Sequence, residues 1–424
     1  MRCFIGVGSN LGDRQHHLER AAQFLKMKSP GFFKASPVYS SPALVPEGAP
    51  EAWRSSFLNA VFEMEWTDSP MSLLALLKTI EKDLGREPAP QWAPRIIDLD
   101  ILFFGENKIQ EDKLTIPHPG ICHRSFVLDP LKHLAPSLKL PGGTESILTR
   151  SRKLPQSSPL WMGILNLTPD SFSDGGEYLN PSEWIEKIKL FEKSLVGMID
   201  IGAESTRPGA SAISAKAEWE RLKPTLEFLK DRYRTRILHP RISMDTRNAE
   251  TAEAALELGA DCINDVSGAA DPKMYELLQS STCEYVLMHS LSVPADPKHT
   301  LPPEADVISE IKNWAYEKLN ELSQKRIALD RVIFDPGLGF GKTAEQSQTI
   351  VRRIDEFFDL PVRILVGHSR KSFIQKWSDQ PVIDRDWESV GISLQMAARG
   401  VDILRVHDAH HHIRAHAAYL ESMK

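Results

Sequence analysis

This chain has few cysteines, no excess of positive charge and no long apolar run, and each of these features excludes a class of protein. Only four of the 424 residues are cysteines, widely spaced and without a C-x-x-C pair, so we expect small buried thiols in a reducing compartment. A net charge of -6 gives no general attraction for nucleic acid or anionic lipid. No apolar run reaches membrane-spanning length, and the N-terminus lacks the apolar core of a signal peptide. We therefore expect a cytoplasmic protein that binds neither nucleic acids nor membranes.

The length predicts two or three domains, and one stretch of the sequence is typical of a linker. Residues 149–159 lose apolar periodicity and gather serine, proline and basic residues. We place one domain at 1–148, the linker at 149–159 and a second domain at 160–424.

The second domain alternates short apolar runs with amphipathic stretches. The runs, each expected to be a strand, are residues 161–166, 198–204, 241–245, 261–265, 285–289, 332–335, 363–368 and 402–408. Between them, stretches such as 182–196, 248–258 and 344–358 have helical periodicity. Eight strand-helix units predict an α/β fold, the (β/α)8 or TIM barrel, whose active site lies where the strands end.

The predicted strands end on polar side chains, which distinguishes an enzyme from a scaffold. They are Asn166, Glu204, Asp245, Asn264, Asp265, His289, Asp335, His368, Arg405 and His407. Any one of them is equally consistent with a cap or a turn. Together they predict a rim that binds a small anionic substrate, with the loops 166–176 and 204–210 beside it.

Two further segments concern phosphate and metal binding. The run 337–342 has three residues between its first glycine and the Gly-Lys pair, whereas an NTPase P-loop has four, so we interpret it as a flexible loop. Arg405 and His407 lie at the end of the last predicted strand, and the loops after the last two strands of a barrel often bind phosphate. The run 410–412 of three histidines lacks a metal-ligand spacing and is predicted to lie on a helix surface.

These motifs together resemble dihydropteroate synthase. The carriers of the resemblance are MGILNLTPDSFSDGG at 162–176, ESTRPGA at 204–210, IND at 263–265, DPGLGFGK at 335–342, SRKS at 369–372 and RVHD at 405–408. The resemblance implies that a dihydropterin diphosphate condenses with 4-aminobenzoate and releases diphosphate. No strong nucleophile is needed, because the departing diphosphate leaves a stabilised cation that the aromatic amine captures.

The same resemblance implies a role for individual residues. The pterin would be bound by Asp245, Asn264, Asp335 and Lys371, diphosphate and Mg²⁺ by Asn166, Arg405 and His407, and 4-aminobenzoate by Thr206, Arg207, Phe340 and Ser369. Asp245 and Lys371 would act in catalysis. A homodimer through the barrel is a further expectation. His368 departs from the family, where we expect an apolar residue, and this departure concerns local packing.

In the first domain, an apolar run at 97–104 is interrupted by Asp98 and Asp100. Alternation along a strand places both carboxylates on one face, where they repel each other unless a cation neutralises them. Solvated acids on an edge strand are the alternative. The apolar surroundings favour Mg²⁺ that carries nucleotide phosphates.

The first domain resembles hydroxymethyldihydropterin pyrophosphokinase, an α+β ferredoxin-like fold. The fragments are GSNL at 8–11, YSSP at 39–42, FLNA at 57–60, Glu81, WAPR at 92–95, TIPH at 115–118 and Arg124. The resemblance implies two Mg²⁺ ions on Asp98 and Asp100, catalytic Arg86 and Arg95, pterin contacts from Ser41, Leu44, Asn59 and Phe126, and ATP contacts from Glu81, Trp92, His118 and Arg124. Pro88, Gln91 and Phe57 depart from the family; fewer cations in this loop predict weaker ATP binding or slower closure.

The two resemblances support each other, because the pterin diphosphate made by the first enzyme is the substrate of the second. One rival interpretation is a pterin-binding methyltransferase that serves a corrinoid protein, which would have no use for the first domain. Another is a first domain that has lost catalysis, against which Asp98 and Asp100 speak. We therefore expect a transferase with small-molecule substrates, with ATP as co-substrate and Mg²⁺ as cofactor.

Overall fold

The chain forms two compact units in a computed structural model that describes residues 1–155, 157–168, 181–205, 212–377 and 385–423. The N-terminal unit comprises Met1–Ser158 together with the short segments Thr235–His239 and Ala417–Lys424. The barrel unit comprises Pro159–Arg234 and Pro240–His416. The first division, between Ser158 and Pro159, falls inside the predicted linker.

The N-terminal unit is built on an antiparallel sheet. Its strands are β1 (Arg2–Ser9), β2 (Phe33–Ala35), β3 (Tyr39–Ser41), β4 (Phe57–Glu65) and β5 (Asp98–Phe104). They are arranged in the order β2-β4-β1-β5, with β3 also paired to β4. A separate hairpin joins β6 (Ile109–Glu111) to β7 (Leu114–Ile116). The predicted α+β ferredoxin-like class is confirmed.

Four helices pack with this sheet. They are α1 (Arg14–Lys28), α2 (Pro70–Asp83), α3 (Ser125–Leu131) and α4 (Ile147–Arg152). Side-chain caps from Asp13, Ser69 and Ser146 satisfy free N–H groups at the starts of α1, α2 and α4. The core between the sheet and α3 contains Phe4, Val61, Leu102, Phe103, Leu128 and Leu131.

The predicted linker begins inside α4 and is anchored to the N-terminal unit. The carboxylate of buried Asp129 accepts hydrogen bonds from Ser151 Oγ at 2.8 Å, Ser157 Oγ at 2.6 Å and the Ser158 N–H at 2.7 Å. The serines that suggested a linker therefore satisfy a buried charge, which composition alone does not reveal.

The barrel unit contains eight parallel strands in a closed sheet. They are β8 (Leu160–Asn166), β9 (Met198–Gly202), β10 (Arg241–Asp245), β11 (Cys262–Asp265), β12 (Glu284–Met288), β13 (Val332–Asp335), β14 (Arg363–Val366) and β15 (Ile403–Val406). Each pairs in parallel with its neighbours, and β15 closes onto β8. The predicted barrel is confirmed, with strand ends within a few residues of those expected.

Helices follow the barrel strands and cover them. They are α5 (Pro181–Lys193), α6 (Ala215–Tyr233), α7 (Ala249–Glu257), α8 (Pro272–Ser280), α9 (Val307–Gln324), α10 (Ala344–Arg352), α11 (Asp386–Arg399) and α12 (Ala409–Ser422). A reciprocal capping box between Thr343 and Gln346 begins α10. The predicted helix over 344–358 is wrong in its second part, since α10 ends at Arg352 and a 3₁₀ turn, Ile354–Phe357, follows. Across the described ranges, no helix combines the length and apolarity needed to cross a membrane.

A buried ion-pair cluster joins the first residues of three barrel strands. Glu284 of β12 accepts a hydrogen bond from Arg241 of β10 at 2.6 Å and another from Arg363 of β14 at 2.5 Å. Burial alone would raise the pKa of Glu284, but the two guanidinium groups outweigh it and lower this pKa to about 2. The cluster lies at the end of the barrel opposite the predicted rim, where stability rather than catalysis is expected.

Replacement of Glu284 by Gln should destabilise the barrel by about 3–5 kcal/mol, because it leaves two buried guanidinium groups without a counter-charge. Since folding depresses the pKa of this carboxyl, its contribution should be complete above the unfolded value, near about 4.3, and should vanish as pH falls through about 2. Urea unfolding at neutral and acidic pH would measure both effects. The control is exposed Glu356→Gln, which removes one of the two acidic partners of Arg353 and leaves Asp306. An equal loss in this variant would refute the buried-cluster explanation.

Candidate functional site

The N-terminal unit carries a cavity of about 400 Å³ on the face of β5 that holds Asp98 and Asp100. In the antiparallel register, Gly8 lies opposite Asp98 and Gly6 lies opposite Asp100. Directly opposed residues share a face of the sheet, so the two glycines leave the space in front of the carboxylates open. A Cβ atom on Gly8 would lie 3.1 Å from Asn59 Oδ1. The cavity thus requires small residues on the strand that faces the acids.

Two arginines grip one of these acids. Arg86 Nη1 donates to Asp98 Oδ1 at 2.7 Å, and Arg95 Nη1 donates to Asp98 Oδ2 at 2.9 Å. The backbone of Arg95 is fixed by Asn10, whose Oδ1 accepts its N–H at 2.8 Å. Both guanidinium groups line the cavity. The site therefore combines two carboxylates with cations suited to phosphate.

The electrostatics of the cavity favour an added cation. Burial raises the pKa of Asp100, and the adjacent Asp98 raises it further. Burial lowers the pKa of His118, although Asp100 opposes this effect. For Arg86, burial disfavours the charged form, but Asp98 and Glu81 outweigh burial and raise the pKa. A bound cation would relieve the repulsion between Asp98 and Asp100.

The fit to Mg²⁺ depends on the substrate as well as on the protein. No group of three or more His, Cys, Asp or Glu side chains is placed to hold a metal ion anywhere in the described part of the chain. Mg²⁺ is commonly held by one or two carboxylates together with substrate phosphates and water. Asp98 and Asp100, open to the cavity, fit that pattern.

The other predicted residues form the remaining walls of this cavity. Ser41, Leu44, Asn59, Trp92, His118, Arg124 and Phe126 all line it. Asn59 Nδ2 donates to Ser41 Oγ at 2.9 Å, which orients the amide. The Arg124 guanidinium lies 5.8 Å from the centre of the Phe126 ring. The cavity thus joins a polar and aromatic wall to the acid and arginine cluster.

Glu81 is the exception, because it lies behind the cavity wall. Its side chain is 4% exposed, and its Oε1 accepts from Leu99 N at 2.8 Å and from Arg86 Nη1 at 2.5 Å. Lys78, one helical turn earlier, also donates to Oε1 at 3.0 Å and does line the cavity. Sequence reasoning missed Lys78, although its i, i+3 spacing to Glu81 places both on one face of α2.

Replacement of Glu81 by Ala should impair the N-terminal site through Arg86 and β5, because it frees the Leu99 N–H and removes one carboxylate from Arg86. We expect a lower melting temperature and a loss of about tenfold or more in Asp98-dependent turnover. Glu81→Gln keeps an acceptor oxygen and should fall between. Thermal unfolding and initial rates of AMP release from ATP would measure these effects. An alanine variant with normal stability and rate would contradict the structural role.

The barrel rim brings five of the predicted residues into one cluster. Arg405 Nη2 donates to Asp245 Oδ2 at 2.7 Å, and Asp245 is opposite Asn264 in the strand register. Asp335 and Lys371 belong to the same charged cluster, since each affects the protonation of the other. Gly202 is paired with Asp245, and a Cβ on that glycine would lie 3.1 Å from the Asp245 Cβ. A small residue is therefore needed beside this carboxylate.

Burial perturbs the charges of the rim strongly. It raises the pKa of Asp245 to about 7, with Arg405 opposing and Asp200 adding to the shift. It also lowers the pKa of Lys371 to about 8, although Asp335 opposes this. Burial raises the pKa of Asp335 as well, against the effect of Lys371. Paired, shifted groups of this kind are typical of catalytic and binding sites.

Lys371 is held by the loop that follows β13. Its Nζ donates to the Leu338 carbonyl at 2.6 Å and lies 4.9 Å from the centre of the Phe340 ring. Gly337, at φ +67, allows this loop to turn, and its N–H donates to Asp335 Oδ1 at 2.7 Å. The loop therefore brings backbone, aromatic ring and ammonium together, as expected for a loop that approaches a ring.

The lysine of this loop, Lys342, is not available to bind phosphate. Lys342 is buried, and its Nζ donates to the His289 carbonyl at 2.8 Å and lies 2.7 Å from His289 Nδ1. Gly337 passes so close that a Cβ there would lie 2.0 Å from His289 O. These contacts support the interpretation that 337–342 is not an NTPase P-loop.

The remaining predicted rim residues lie on neighbouring strand ends. Ser369 Oγ lies 3.1 Å from His407 Nδ1 and accepts the His407 N–H at 3.3 Å. Asn166, half-buried, ends β8 beside Gly202. Thr206 and Arg207, predicted to bind 4-aminobenzoate, lie outside the described residues, as does most of the first predicted loop.

Four polar strand ends are used for structure. Glu204 forms two hydrogen bonds with Arg247, Asp265 accepts from Tyr285 and from the loop after β11, His289 is bound to Lys342, and His368 lies inside the barrel wall. Each of the four side chains forms its hydrogen bonds with groups outside the rim cluster, and for His368 these involve Nε2. For these four residues a structural role, the alternative that the sequence left open for any single strand end, is the one observed.

The histidine prediction also needs correction. His411 is exposed and paired with Asp408, but His412 is fully buried, so the helix-surface prediction is wrong for it. Ser393 Oγ lies 2.8 Å from His412 Nδ1 and 2.9 Å from His368 Nε2. Thus the unusual His368 is packed within a polar cluster that includes His412.

Protein-family models match both units. A model described as "Pterin binding enzyme" matches residues 162–407, and one described as "7,8-dihydro-6-hydroxymethylpterin-pyrophosphokinase (HPPK)" matches residues 4–136. With a barrel rim of buried hydrogen-bonding groups and a cavity of acids and arginines, they define a two-unit transferase that acts on pterins.

Relatives of known name span the full chain. The folate synthesis bifunctional protein of Chlamydia trachomatis is 34% identical over 437 residues, which covers 98% of this chain and 96% of the relative. The mitochondrial folate synthesis bifunctional protein of Arabidopsis thaliana is 34% identical, with 97% and 81% covered. The chain belongs to the family of bifunctional folate synthesis proteins. It is a pyrophosphokinase and a dihydropteroate synthase, and performs two consecutive steps of folate synthesis with ATP as co-substrate.

Solved structures agree with this assignment. Dihydropteroate synthase from Clostridium difficile, solved with pteroic acid, is 34% identical, with a TM-score of 0.57 over 63% of this chain and 97% of that one. A structure described as HPPK-DHPS in complex with substrates covers 100% of this chain and 99% of its own, with a TM-score of 0.58. At 20% identity, the second likeness concerns the fold.

Proposed function

We propose that the cavity on β5 performs the pyrophosphokinase step and that the barrel rim performs the condensation. The observation that carries the proposal is the separation of chemical types. The N-terminal cavity combines two carboxylates with arginines suited to phosphate, whereas the rim places an arginine beside carboxylate, amide and ammonium groups suited to a ring. The proposed domains are 1–148 and 160–424, joined by 149–159.

In the N-terminal cavity, we assign the wall of Ser41, Leu44, Asn59 and Phe126 to the pterin and the wall of Trp92, His118 and Arg124 to ATP. The pterin hydroxymethyl oxygen attacks the β-phosphorus of ATP and its proton passes to water. The bond from that phosphorus to the oxygen it shares with the α-phosphorus breaks, and AMP leaves with that oxygen. Arg86 and Arg95 stabilise charge on the transferred group. Mg²⁺ held by Asp98 and Asp100 would neutralise phosphate charge when bound. Glu81 supports Arg86 from behind.

At the rim, we assign Asp245, Asn264, Asp335 and Lys371 to the pterin edge. Carboxylates accept hydrogen bonds from ring N–H groups, and the ammonium donates to ring acceptors, so a ring without these groups is rejected. Arg405, His407 and Asn166 are assigned to the diphosphate, with oxygen ligation of Mg²⁺ by Asn166. Phe340, Ser369, Thr206 and Arg207 are assigned to 4-aminobenzoate.

The condensation then needs positioning more than a nucleophilic side chain. The carbon–oxygen bond to diphosphate breaks, the amine nitrogen of 4-aminobenzoate bonds to that carbon, and the nitrogen loses a proton. The guanidinium of Arg405 stabilises the departing diphosphate. The ring-binding groups hold the cationic carbon in line with the amine.

The cellular setting stays a prediction. Unpaired cysteines at all four positions are consistent with the reducing compartment expected for a cytoplasmic protein. The proposed partners are small molecules, without nucleic acid or membrane, and the proposed assembly is a homodimer through the barrel.

Asp98→Ala should abolish AMP release while the barrel still converts supplied pterin diphosphate to dihydropteroate. Asp98 pairs with Arg86 and Arg95, and all three residues line the N-terminal cavity. The change should therefore affect this cavity and leave the barrel rim intact. Purified protein with ATP, Mg²⁺, hydroxymethyldihydropterin and 4-aminobenzoate would be followed by chromatography of AMP and dihydropteroate. Loss of both activities together would contradict separate sites, and wild-type protein without AMP release would refute the first assignment.

Lys371→Met should lower condensation by about 10²–10³-fold and leave AMP release unchanged, because a half-buried donor proposed to contact the ring is lost. Supplied pterin diphosphate and 4-aminobenzoate would provide the rate. The exposed Lys376→Met, which removes the partner of Glu345, is the matched control. A normal condensation rate in Lys371→Met would remove this residue from the site.

The condensation should have a bell-shaped pH profile. Asp245 becomes ionised as pH rises through about 7, which should increase the rate. Lys371 loses its proton as pH rises through about 8, which should decrease the rate. The quantity to measure is kcat/KM for pterin diphosphate from about pH 5.5 to about pH 9.5, a range that includes the pKa values of both groups. Lys371→Arg cannot lose its charge and should lack the alkaline limb. Persistence of that limb would assign it to another group.

A further inference from the structure

Asp200 is a fully buried carboxylate inside the barrel, below the rim residues. It belongs to β9 and is paired with Ser243 of β10, two positions before the pair of Gly202 and Asp245. Alternate residues on a strand face the same side, so Asp200 lies one layer beneath the carboxylate of Asp245. No part of the proposed chemistry uses it.

Its contacts connect two residues of the proposed site. Asp200 Oδ2 accepts from Arg405 Nε at 2.6 Å and from Asn264 Nδ2 at 3.0 Å. Its other oxygen, Oδ1, is buried and has no hydrogen-bond partner among the described residues. A buried carboxylate that leaves one oxygen unsatisfied costs stability, and such a cost is typical of functional sites.

We propose that Asp200 is the positioning residue of the barrel site, which fixes Arg405 for the diphosphate and Asn264 for the pterin. This proposal rests on the proposed assignment of Arg405 and Asn264. Asp200 itself is not proposed to touch a substrate.

Asp200 helps to fix the orientation of the Arg405 guanidinium. Asp200 takes the Nε–H and Asp245 takes an N–H of Nη2, so two carboxylates define the plane of the guanidinium. The remaining N–H bonds of that rigid fork are then fixed in space for an anion. Burial disfavours the charge on Arg405, but the two carboxylates outweigh it and hold the pKa above its ordinary value.

Asp200 also fixes the orientation of the Asn264 side-chain amide. An ionised carboxylate only accepts hydrogen bonds, so Asp200 selects the nitrogen of the Asn264 amide and excludes the flipped arrangement. The amide oxygen is thereby kept for a ring donor. One buried carboxylate thus fixes the group that binds the leaving diphosphate and a group that binds the ring.

The test compares Asp200→Ala and Asp200→Asn with Asp402→Asn. Asp402 is an equally buried barrel carboxylate, which accepts the Ile364 N–H at 2.9 Å and lies outside the rim cluster. Circular dichroism and thermal unfolding would first establish that each full-length variant is folded. Calorimetry would then measure binding of inorganic diphosphate and of 6-hydroxymethylpterin, alongside the kinetics of condensation.

Asp200→Ala should raise the KM for pterin diphosphate and weaken diphosphate binding by about tenfold to a hundredfold. The KM for 4-aminobenzoate should change by less than about twofold, because Asp200 touches neither Phe340 nor Ser369. Asp402→Asn should leave all three quantities near wild type. If Asp200→Ala does not fold, Asp200→Asn decides the question.

Asp200→Asn keeps an acceptor oxygen but removes the charge. It should therefore change the pH dependence of condensation, which a purely structural role of Asp200 would leave unchanged. The acidic limb of the condensation profile should shift to lower pH, because the negative charge of Asp200 raises the pKa of Asp245. The other charges that act on Asp245, namely Arg405, Glu218, Glu204 and Lys371, are unchanged in this variant.

Folded Asp200 variants with wild-type binding and an unshifted acidic limb would overturn the proposal. An equal loss in Asp402→Asn would also overturn it, since the effect would then be general to the barrel. Arg405→Met separates this failure from failure of the assignment on which the proposal rests. If Arg405→Met binds diphosphate normally, the assignment of Arg405 is wrong; if only Arg405→Met loses binding, the role of Asp200 is wrong.

Discussion

The contact of Arg405 with two carboxylates, one buried and one partly buried, is the interaction on which the barrel rim depends. Asp200 and Asp245 repel each other in a region from which water is largely excluded, and the guanidinium between them makes that arrangement tolerable. The same contact fixes an arginine that is still able to bind an anion. Structure and function are therefore joined in one charge cluster, and neither acid is a simple stability element.

The N-terminal cavity solves a similar problem in a different way. Asp98 is neutralised by Arg86 and Arg95, while Asp100 is left with a raised pKa beside it. Because these arginines also suit phosphate, the groups that hold the carboxylates in the free protein are the groups proposed to meet the nucleotide. The two sites thus share a principle: buried acids are retained where ligands and cations together satisfy them.

The remaining buried charges serve stability and illustrate how position decides role. Glu284 meets Arg241 and Arg363 at the first residues of their strands, and it is fully satisfied by them. Asp129 is satisfied by the serines of the segment that leads out of the N-terminal unit. By contrast, Asp200 retains an oxygen without a partner among the described residues. What separates Asp200 from these structural acids is its partners, because Arg405 and Asn264 both belong to the proposed site.

The sequence by itself determined the two folds and most of the residues that the structure brings together. Periodicity located the eight barrel strands and placed Asp98 and Asp100 on one face of a strand. Asp245, Lys371 and Arg405 could be located because the ends of parallel strands meet at one rim. Tertiary structure decided which polar groups face a ligand. Glu81 lies behind its cavity and His412 is buried, since a hydrogen bond to a distant strand or helix leaves no periodic trace. The role of Asp200 was likewise invisible, because its partners are 64 and 205 residues away in the chain and only closure of the barrel brings them together.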